Sequence, residues 1–177
     1  EILVAPPTSG TRDAWNSLVM VKGCTKSAKS LYEAAGKKAK KECAKIREDG
    51  YAVEAGENDT LIVQKLTSNP DAYGFFGYSY LVANKDKVKA ASIEGVQPSL
   101  EGIQDYSYPI ARPLFFYVKK SHIGVIPGIQ EFLKEFTSKK AMSNRGYLAK
   151  IGLVPLASDK YKVTRTAALD LITISIK

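Results

Sequence analysis

The sequence predicts an α/β fold, because short apolar runs alternate with helix-forming stretches along the first half of the chain. Residues 2–4 form the first apolar run. Trp15, Leu18 and Val19 follow it at the i, i+3, i+4 spacing of one buried helix face. With 177 residues, the chain is long enough for one good core or for two small lobes that share a hinge.

Strands and helices are predicted along the rest of the chain, with helices alone after residue 118. Strands are predicted at residues 2–4, 51–55, 72–81, 88–93 and 108–118. Helices are predicted at residues 13–21, 27–47 with an interruption at Gly36, 60–66, 128–137, 142–153 and 161–177, the last with a β-branched tail that disfavours helix. The strand at 72–81 is predicted to be buried, with the aromatic side chains Tyr73, Phe75, Phe76 and Tyr78 in core packing rather than stacked on a ligand.

The formal net charge of +8 comes mainly from the stretch Lys22–Arg47, which is dense in lysine. Such a balance is compatible with nucleic acid, with an anionic membrane surface or with a small anionic ligand. The run Lys37–Lys41 lacks interleaved aromatic residues and an accompanying recognition motif. A solvated helix face is therefore favoured over a nucleic-acid site.

No apolar run approaches the roughly 20 residues needed to span a membrane. The sequence begins at Glu1 without a basic segment followed by an apolar one. Either there was never a signal peptide, or it lies upstream of these residues.

Two cysteines, Cys24 and Cys43, bracket the lysine-rich stretch. In an exported protein such a pair indicates a disulfide, whereas in a cytosolic protein the two would be buried thiols. A metal site is not expected, because His122 is the one histidine and there is no closely spaced cysteine pair.

The stretch Thr8-Ser9-Gly10-Thr11-Arg12-Asp13 contains the parts of an oxyanion site. Ser9 or Thr11 can cap the helix, Gly10 leaves the backbone N–H groups accessible, and Arg12 adds a guanidinium. Asp13 suits the positive end of the helix. The alternative is a capped turn with a solvated arginine. The pattern is neither a P-loop nor a dinucleotide fingerprint.

Nothing in the sequence suggests an enzyme or a cofactor. Ser9 has no base near it in sequence, and no pair of carboxylates stands out. His122 lies in a Lys-Lys-Ser-His-Ile-Gly loop and is expected to be a surface residue. Binding is therefore favoured over catalysis.

Several motifs match one family in the order in which that family carries them. They are Pro-Pro-Thr-Ser-Gly-Thr-Arg-Asp-Ala at 6–14, Arg-Glu-Asp-Gly at 47–50, Gly-Glu-Asn-Asp at 56–59, Asn-Pro-Asp-Ala at 69–72, Gly-Tyr at 77–78, Tyr-Pro-Ile-Ala-Arg-Pro-Leu at 108–114, Gly-Tyr at 146–147 and Gly-Leu-Val-Pro-Leu at 152–156. With this set the chain resembles the periplasmic phosphate-binding proteins of ABC importers, the PstS group. The set covers nearly the whole chain and is fairly specific, although each motif alone is weak.

The resemblance implies that Ser9, Gly10 and Thr11 bind phosphate oxygens through hydroxyls and backbone N–H groups. In many relatives the arginine after this triplet pairs with the phosphate, which points to Arg12. Some relatives place an arginine four residues before the serine, where this chain has Ala5. Asp13 either orients Arg12 or serves the helix end, and the helix role is favoured. The 56–59 loop and residues 77–78 belong to the family's cleft region, here expected as scaffold.

The resemblance also implies a type II periplasmic-binding-protein-like lobe with a mixed sheet flanked by helices, plus C-terminal helices of the other lobe. Residues 1–105 would form the second-lobe core that carries the anion loop, residues 106–118 a hinge-crossing strand, and residues 119–177 a helical part that completes the first lobe. The family's N-terminal part has no counterpart here, so the sequence is expected to be a C-terminal portion.

The function implied is that of a solute-binding component that takes inorganic phosphate in the periplasm and delivers it to a membrane permease, without a cofactor and without nucleic acid. The alternative is a fragment with weak or no phosphate binding that acts as an interaction module and self-associates through the face left by the missing lobe. A basic nucleic-acid-binding protein is a third, less favoured hypothesis.

Overall fold

A computed structural model describes residues 1–174 of the chain. These residues form two compact units, Glu1–Ile93 and a second unit that begins at Glu94. This division falls earlier than the predicted boundary at residue 105. The two units are separated by the contacts within each of them, which do not show to which lobe of a two-lobed protein a segment belongs. The domain boundaries that the resemblance implies therefore remain predictions.

The first unit contains a three-stranded sheet with the order β2-β1-β3. Its strands are β1 (Ile2–Val4), β2 (Ala52–Glu54) and β3 (Tyr73–Gly74). In the register of the sheet Leu3 lies opposite Val53 on one side and opposite Gly74 on the other. All three strands are parallel, where a mixed sheet was predicted. Each connection between consecutive strands contains helix, and such a crossover returns the chain in the same direction.

The core of this unit lies on the central strand. Leu3, Ala55 and Ile62 are almost completely buried and contact one another, with Val53, Leu66 and Phe76 packed around them. An apolar strand at the centre of a parallel sheet is covered on both faces, which explains why residues 2–5 are apolar without alternation. The predicted first strand is confirmed at its predicted bounds.

Helices of the first unit overlap the predicted segments, except for α6, which lies where a strand was predicted. Their bounds are as follows. α1 is Gly10–Trp15, which continues through a π-helical stretch Asn16–Val21 into α2 (Lys22–Ser27); α3 is Lys29–Ala35, the 3₁₀ turn Gly36–Lys38 follows, and then come α4 (Ala39–Cys43), α5 (Asp59–Ser68) and α6 (Tyr78–Ala83). The predicted interruption at Gly36 is confirmed. Gly36 has a φ of 51°, which glycine adopts without strain.

The predicted buried strand at residues 72–81 is wrong for most of its length. Only Tyr73 and Gly74 pair with β1, and α6 begins at Tyr78. Tyr73 is 69% exposed, on an edge strand of the sheet. The chain leaves the sheet after Gly74, and the N–H of Gly77 donates to the Asp59 carboxylate at 3.1 Å. The strand predicted at 88–93 is also absent, since among these residues only Ile93 takes part in an isolated β-bridge and none belongs to the three-stranded sheet.

Cys24 and Cys43 are joined by a disulfide, with their Cα atoms 6.0 Å apart. The bond connects α2 to the end of α4 and closes the lysine-rich stretch. Of the two alternatives for this pair, the structure therefore contains the bonded one.

The second unit is built from short helices. They are α7 (Leu100–Gln104), a 3₁₀ turn at Lys120–His122, α8 (Ile129–Phe136), α9 (Lys139–Met142), α10 (Tyr147–Lys150) and α11 (Ser158–Leu169). The predicted helix at 128–137 is confirmed, and that at 161–177 begins earlier and ends at Leu169. Residues 175–177 of that prediction lie outside the described residues.

The strand predicted at 108–118 is wrong. The segment has no ladder partner among the described residues, and a strand exists only through pairing. Phe116 nevertheless contacts α8, with its ring centroid 4.7 Å from that of Phe136 and 6.2 Å from that of Phe132. Leu114, Phe115 and Tyr117 are largely exposed. Residues 108–118 therefore run from α7 to the 3₁₀ turn at Lys120–His122 without a strand partner among the described residues.

The carboxyl end of α8 is capped by side chains of α11. Arg165 Nη1 donates to the carbonyl of Thr137 at 2.5 Å, and Tyr161 Oη donates to the same oxygen at 2.9 Å. Thr137 is almost completely buried. Cations and donors at a helix carboxyl end satisfy carbonyls that have no partner in the helix, so these contacts fix α11 on α8.

Among residues 1–174, no helix has both the length and the apolar character needed to cross a membrane.

Candidate anion-binding site

Three loops follow the three parallel strands and lie at the same edge of the sheet. Residues 5–9 lead from β1 into α1, residues 55–58 lead from β2 into α5, and residues 75–77 lead from β3 into α6. Parallel strands present their carboxyl ends together, and ligands of open α/β sheets bind at this edge. The amino ends of α1, α5 and α6 therefore face one edge, where their partial positive charges favour an anion.

Ser9 begins α1 as its N-cap residue. Its Oγ accepts a hydrogen bond from the N–H of Thr11 at 3.2 Å, and the side chain is nearly buried. The N–H of Ser9 donates to the carbonyl of Pro6 at 3.0 Å, which closes the turn after β1. Because its oxygen is the cap acceptor, the hydroxyl proton of Ser9 remains available to a ligand.

Gly10 is exposed and stands beside open space. A methyl group added at its α-carbon would meet no heavy atom within 4 Å. Packing among the described residues therefore leaves room for a side chain at position 10. A ligand that approaches the first N–H groups of the helix would explain a glycine here, as a close backbone approach often does.

Arg12 is half-buried and is held against the end of the central strand. Its Nη1 donates to the carbonyl of Ala5 at 2.6 Å. Its Nε is buried and has no hydrogen-bond partner among residues 1–174. A buried donor without a partner is costly, and a guanidinium anchored through one nitrogen retains further donors for an oxyanion.

Asp13 is exposed and forms no ion pair with Arg12 or with any other described residue. It lies in the first turn of α1, where its charge complements the helix dipole. Of the two roles considered for Asp13, its position fits the helix-end role.

Two hydrogen bonds between the loops were not visible in the sequence. Thr8 Oγ1 donates to Glu57 Oε1 at 2.6 Å, which joins the loop after β1 to the loop after β2. The Asp59 carboxylate accepts from the N–H of Gly77, which joins the loops after β2 and β3. These contacts join residues that are far apart in sequence, and the one signal for them was the family resemblance, which places Gly-Glu-Asn-Asp and Gly-Tyr in the cleft region.

Aromatic packing supports the loop after β3. Trp15 of α1 stacks on Phe75, with ring centroids 4.2 Å apart and planes inclined by 2°. Phe76 packs against the core, whereas Tyr73 does not. The predicted packing role therefore fits Phe75 and Phe76 and fails for Tyr73.

His122, which was predicted to be a surface residue, is half-buried in its 3₁₀ turn. Among residues 1–174, no group of histidine, cysteine and carboxylate side chains is arranged to hold a metal ion.

The parallel sheet flanked by helices gives this unit an α/β architecture, and the hydroxyl-rich loop at its carboxyl edge carries groups of the kind that bind small oxyanions. The chain belongs to the PBP superfamily, whose domain matches residues 1–140. The predicted periplasmic-binding-protein-like fold is confirmed at this level.

The chain is similar to phosphate-binding proteins named PstS from Staphylococcus aureus. It is 32% identical to those of strains USA300, COL and Mu50 over 111 residues, which cover 59% of this chain and 34% of each relative. These matches confirm the predicted resemblance to the PstS group. The chain spans about a third of the length of the curated relatives it matches. No solved structure matches the chain.

Proposed function

We propose that the chain is a solute-binding component of phosphate transport that holds inorganic phosphate at the loop Ser9–Arg12. The observation that carries this proposal is the open space at Gly10, at the amino end of α1, and Arg12 in the same turn adds a guanidinium whose Nε has no partner among residues 1–174. The similarity to proteins named as phosphate-binding supports the choice of phosphate among oxyanions.

Binding would use groups that are already in place. The N–H group of Gly10, the hydroxyls of Ser9 and Thr11 and the guanidinium of Arg12 would donate to phosphate oxygens, whereas the N–H of Thr11 already donates to Ser9 Oγ. Preorganised donors bind a dehydrated anion strongly because they need no reorientation when it arrives. No chemical step is required of these residues, and the role is one of binding rather than catalysis.

Calorimetric titration with inorganic phosphate tests the site. The unchanged chain is expected to saturate near one phosphate per chain. Gly10→Ala should weaken binding by roughly tenfold or more, because a methyl group beside the first amides loses about 1.4 kcal/mol or more of contact free energy. Gly23→Ala is the matched control, since its added methyl also meets nothing within 4 Å.

Arg12→Gln is expected to weaken phosphate binding by roughly tenfold to a hundredfold, through loss of charge-assisted hydrogen bonds. Lys38→Ala, which removes an exposed charge elsewhere, should have little effect. Equal losses of affinity in the two variants would show that phosphate binds at the lysine-rich stretch instead.

Two further outcomes would contradict the proposal. An unchanged phosphate affinity in Gly10→Ala would refute binding at the Ser9–Arg12 loop, and an equal affinity of the chain for sulfate would show a general oxyanion site.

Delivery of phosphate to a membrane permease and an extracytoplasmic location are part of the same proposal. They are supported by the relatives' name as phosphate-binding proteins and by the superfamily match. The disulfide between Cys24 and Cys43 also favours an oxidising compartment.

A second candidate is an interaction module that binds phosphate weakly. The observation that favours it is the largely exposed apolar strip Leu114–Val118 in the second unit. Contiguous exposed apolar surface of this kind marks an interaction site. A titration without measurable phosphate binding, together with concentration-dependent association, would favour this candidate over the first.

A further inference from the structure

The stretch of residues 22–47, called here the basic segment, carries most of the charge of the molecule. It contains nine lysine and arginine residues and two glutamates, which leaves +7 of the chain's net +8. Its lysines Lys22, Lys26, Lys29, Lys37, Lys38, Lys40, Lys41 and Lys45 are all exposed. The rest of the chain is thus nearly neutral, and the charge is confined to one part of the first unit.

Much of this charge is not neutralised within the protein. Lys29 pairs with Glu33 at 3.8 Å and Lys45 pairs with Glu42 at 2.6 Å. In contrast, Lys37, Lys38, Lys40 and Lys41 make no ion pair with any of residues 1–174. Four adjacent exposed cations repel one another, and an external polyanion would relieve that repulsion.

The basic segment has a fixed shape. The disulfide between Cys24 and Cys43 closes it, and α3 and α4 pack against each other within it. Ala39, between the two lysine pairs, is almost completely buried and anchors α4. A partner surface would therefore meet lysines whose backbone is already ordered, and binding would not have to order that backbone.

The apolar content of the basic segment indicates the class of partner. Leu31 in α3 is 70% exposed, and it is the one large aliphatic or aromatic side chain among described residues 22–47 with that degree of exposure. Sites for single-stranded nucleic acid combine cations with exposed aromatic platforms, and Tyr32 is half-buried. An exposed aliphatic residue among lysines instead suits the interface of an anionic bilayer, where the aliphatic group inserts and the lysines meet the headgroups.

We propose that the basic segment is a docking surface for an anionic lipid bilayer. The lysines at 37, 38, 40 and 41 supply the attraction, and Leu31 supplies a shallow apolar contact. This role is independent of phosphate binding at the Ser9–Arg12 loop, so the two proposals fail separately.

Vesicle flotation with the full chain tests the proposal. Vesicles of phosphatidylcholine mixed equally with phosphatidylglycerol are compared with vesicles of phosphatidylcholine alone, at low and at physiological salt. The chain is expected to float with the anionic vesicles only, and less at the higher salt because the attraction is screened. Equal binding to neutral vesicles, or no binding to either, would overturn the proposal.

Two variants of equal net charge locate the surface. Lys37→Gln, Lys38→Gln, Lys40→Gln and Lys41→Gln together should weaken anionic-vesicle binding by roughly tenfold or more. The control combines Lys85→Gln, Lys87→Gln, Lys89→Gln and Lys140→Gln, which are exposed and lie outside the basic segment. Matched thermal unfolding establishes that both variants are folded. An equal loss in the control would overturn the proposal, as would tighter binding to duplex DNA than to anionic vesicles at the same salt.

Discussion

Gly10 and Gly146 each lie at the start of a helix, but glycine is needed at the two positions for different physical reasons. A methyl group at Gly10 would meet nothing, whereas one at Gly146 would lie 2.1 Å from the carbonyl oxygen of Ala141 and 2.6 Å from its carbon. Backbone atoms cannot rotate away as a side chain can. Gly146 is therefore a packing requirement, and Gly10 is left free for a role in binding.

Gly146→Ala is expected to destabilise the chain by about 1–3 kcal/mol or more, the usual cost of overpacking. Urea unfolding followed by circular dichroism measures the loss. Gly23→Ala serves as the control, since it lies inside α2 with open space around it and should be neutral or stabilising by up to about 1 kcal/mol. A Gly146→Ala chain as stable as the unchanged one would contradict the close contact.

At the level of single residues, the sequence indicated which residues form the candidate site but not which hydrogen bonds they make. The hydroxyls, glycine and arginine of residues 9–12 could be picked out because a capped helix start has a local signature. The anchoring of Arg12 on the carbonyl of Ala5, and the hydrogen bond from Thr8 to Glu57, could not. Both depend on which strands become neighbours in the sheet.

At the level of the elements, one covalent bond, the disulfide between Cys24 and Cys43, holds the helices of the basic segment together. The disulfide closes a loop with a sequence separation of 19 between its cysteines. A cross-link of this size is worth about 3 kcal/mol, mainly because it restricts the unfolded chain.

Replacement of Cys24 and Cys43 by serine should therefore lower the free energy of unfolding by about 3 kcal/mol. Urea unfolding of the unchanged chain with and without reducing agent is the measurement. The reduced chain should match the serine variant, and reducing agent should not affect that variant. Identical unfolding of oxidised and reduced chains would show that the bond does not stabilise the fold.

Helices were predicted better than strands, and the reason is physical. The face spacing of α8 and the break at Gly36 are local properties of the sequence. The aromatic runs at 72–81 and 108–118 have the composition of strands, yet the first turns into α6 and the second has no partner among the described residues. β-composition describes a surface that fits a sheet, and it does not supply the neighbouring strand.

For the whole molecule, the exposed strip Leu114–Val118 raises the question of association. Phe115 and Tyr117 are each 72% exposed, and the N–H groups of residues 114–118 donate no hydrogen bond to another described residue. Unpaired backbone with apolar side chains is a template for pairing with another strand. We expect the chain to associate as its concentration rises.

Sedimentation velocity over a concentration series measures this association. The double change Phe115→Ser and Tyr117→Ser should shift the distribution toward monomer, because it removes apolar surface from the strip. The control double change, Ile151→Ser and Val163→Ser, removes similarly exposed apolar side chains outside the strip and should leave association in place. A chain that sediments as a monomer at every concentration would contradict the prediction.

The sequence by itself determined the α/β class, the strand at residues 2–4, a capped helix start at Ser9 or Thr11 and the family resemblance. These features rest on local patterns, namely an apolar run, a cap and an ordered set of short motifs. Only the tertiary structure decided that the sheet is parallel, that three loops meet at one edge and that residues 108–118 remain unpaired. Those outcomes depend on contacts between residues distant in sequence, which no local pattern specifies.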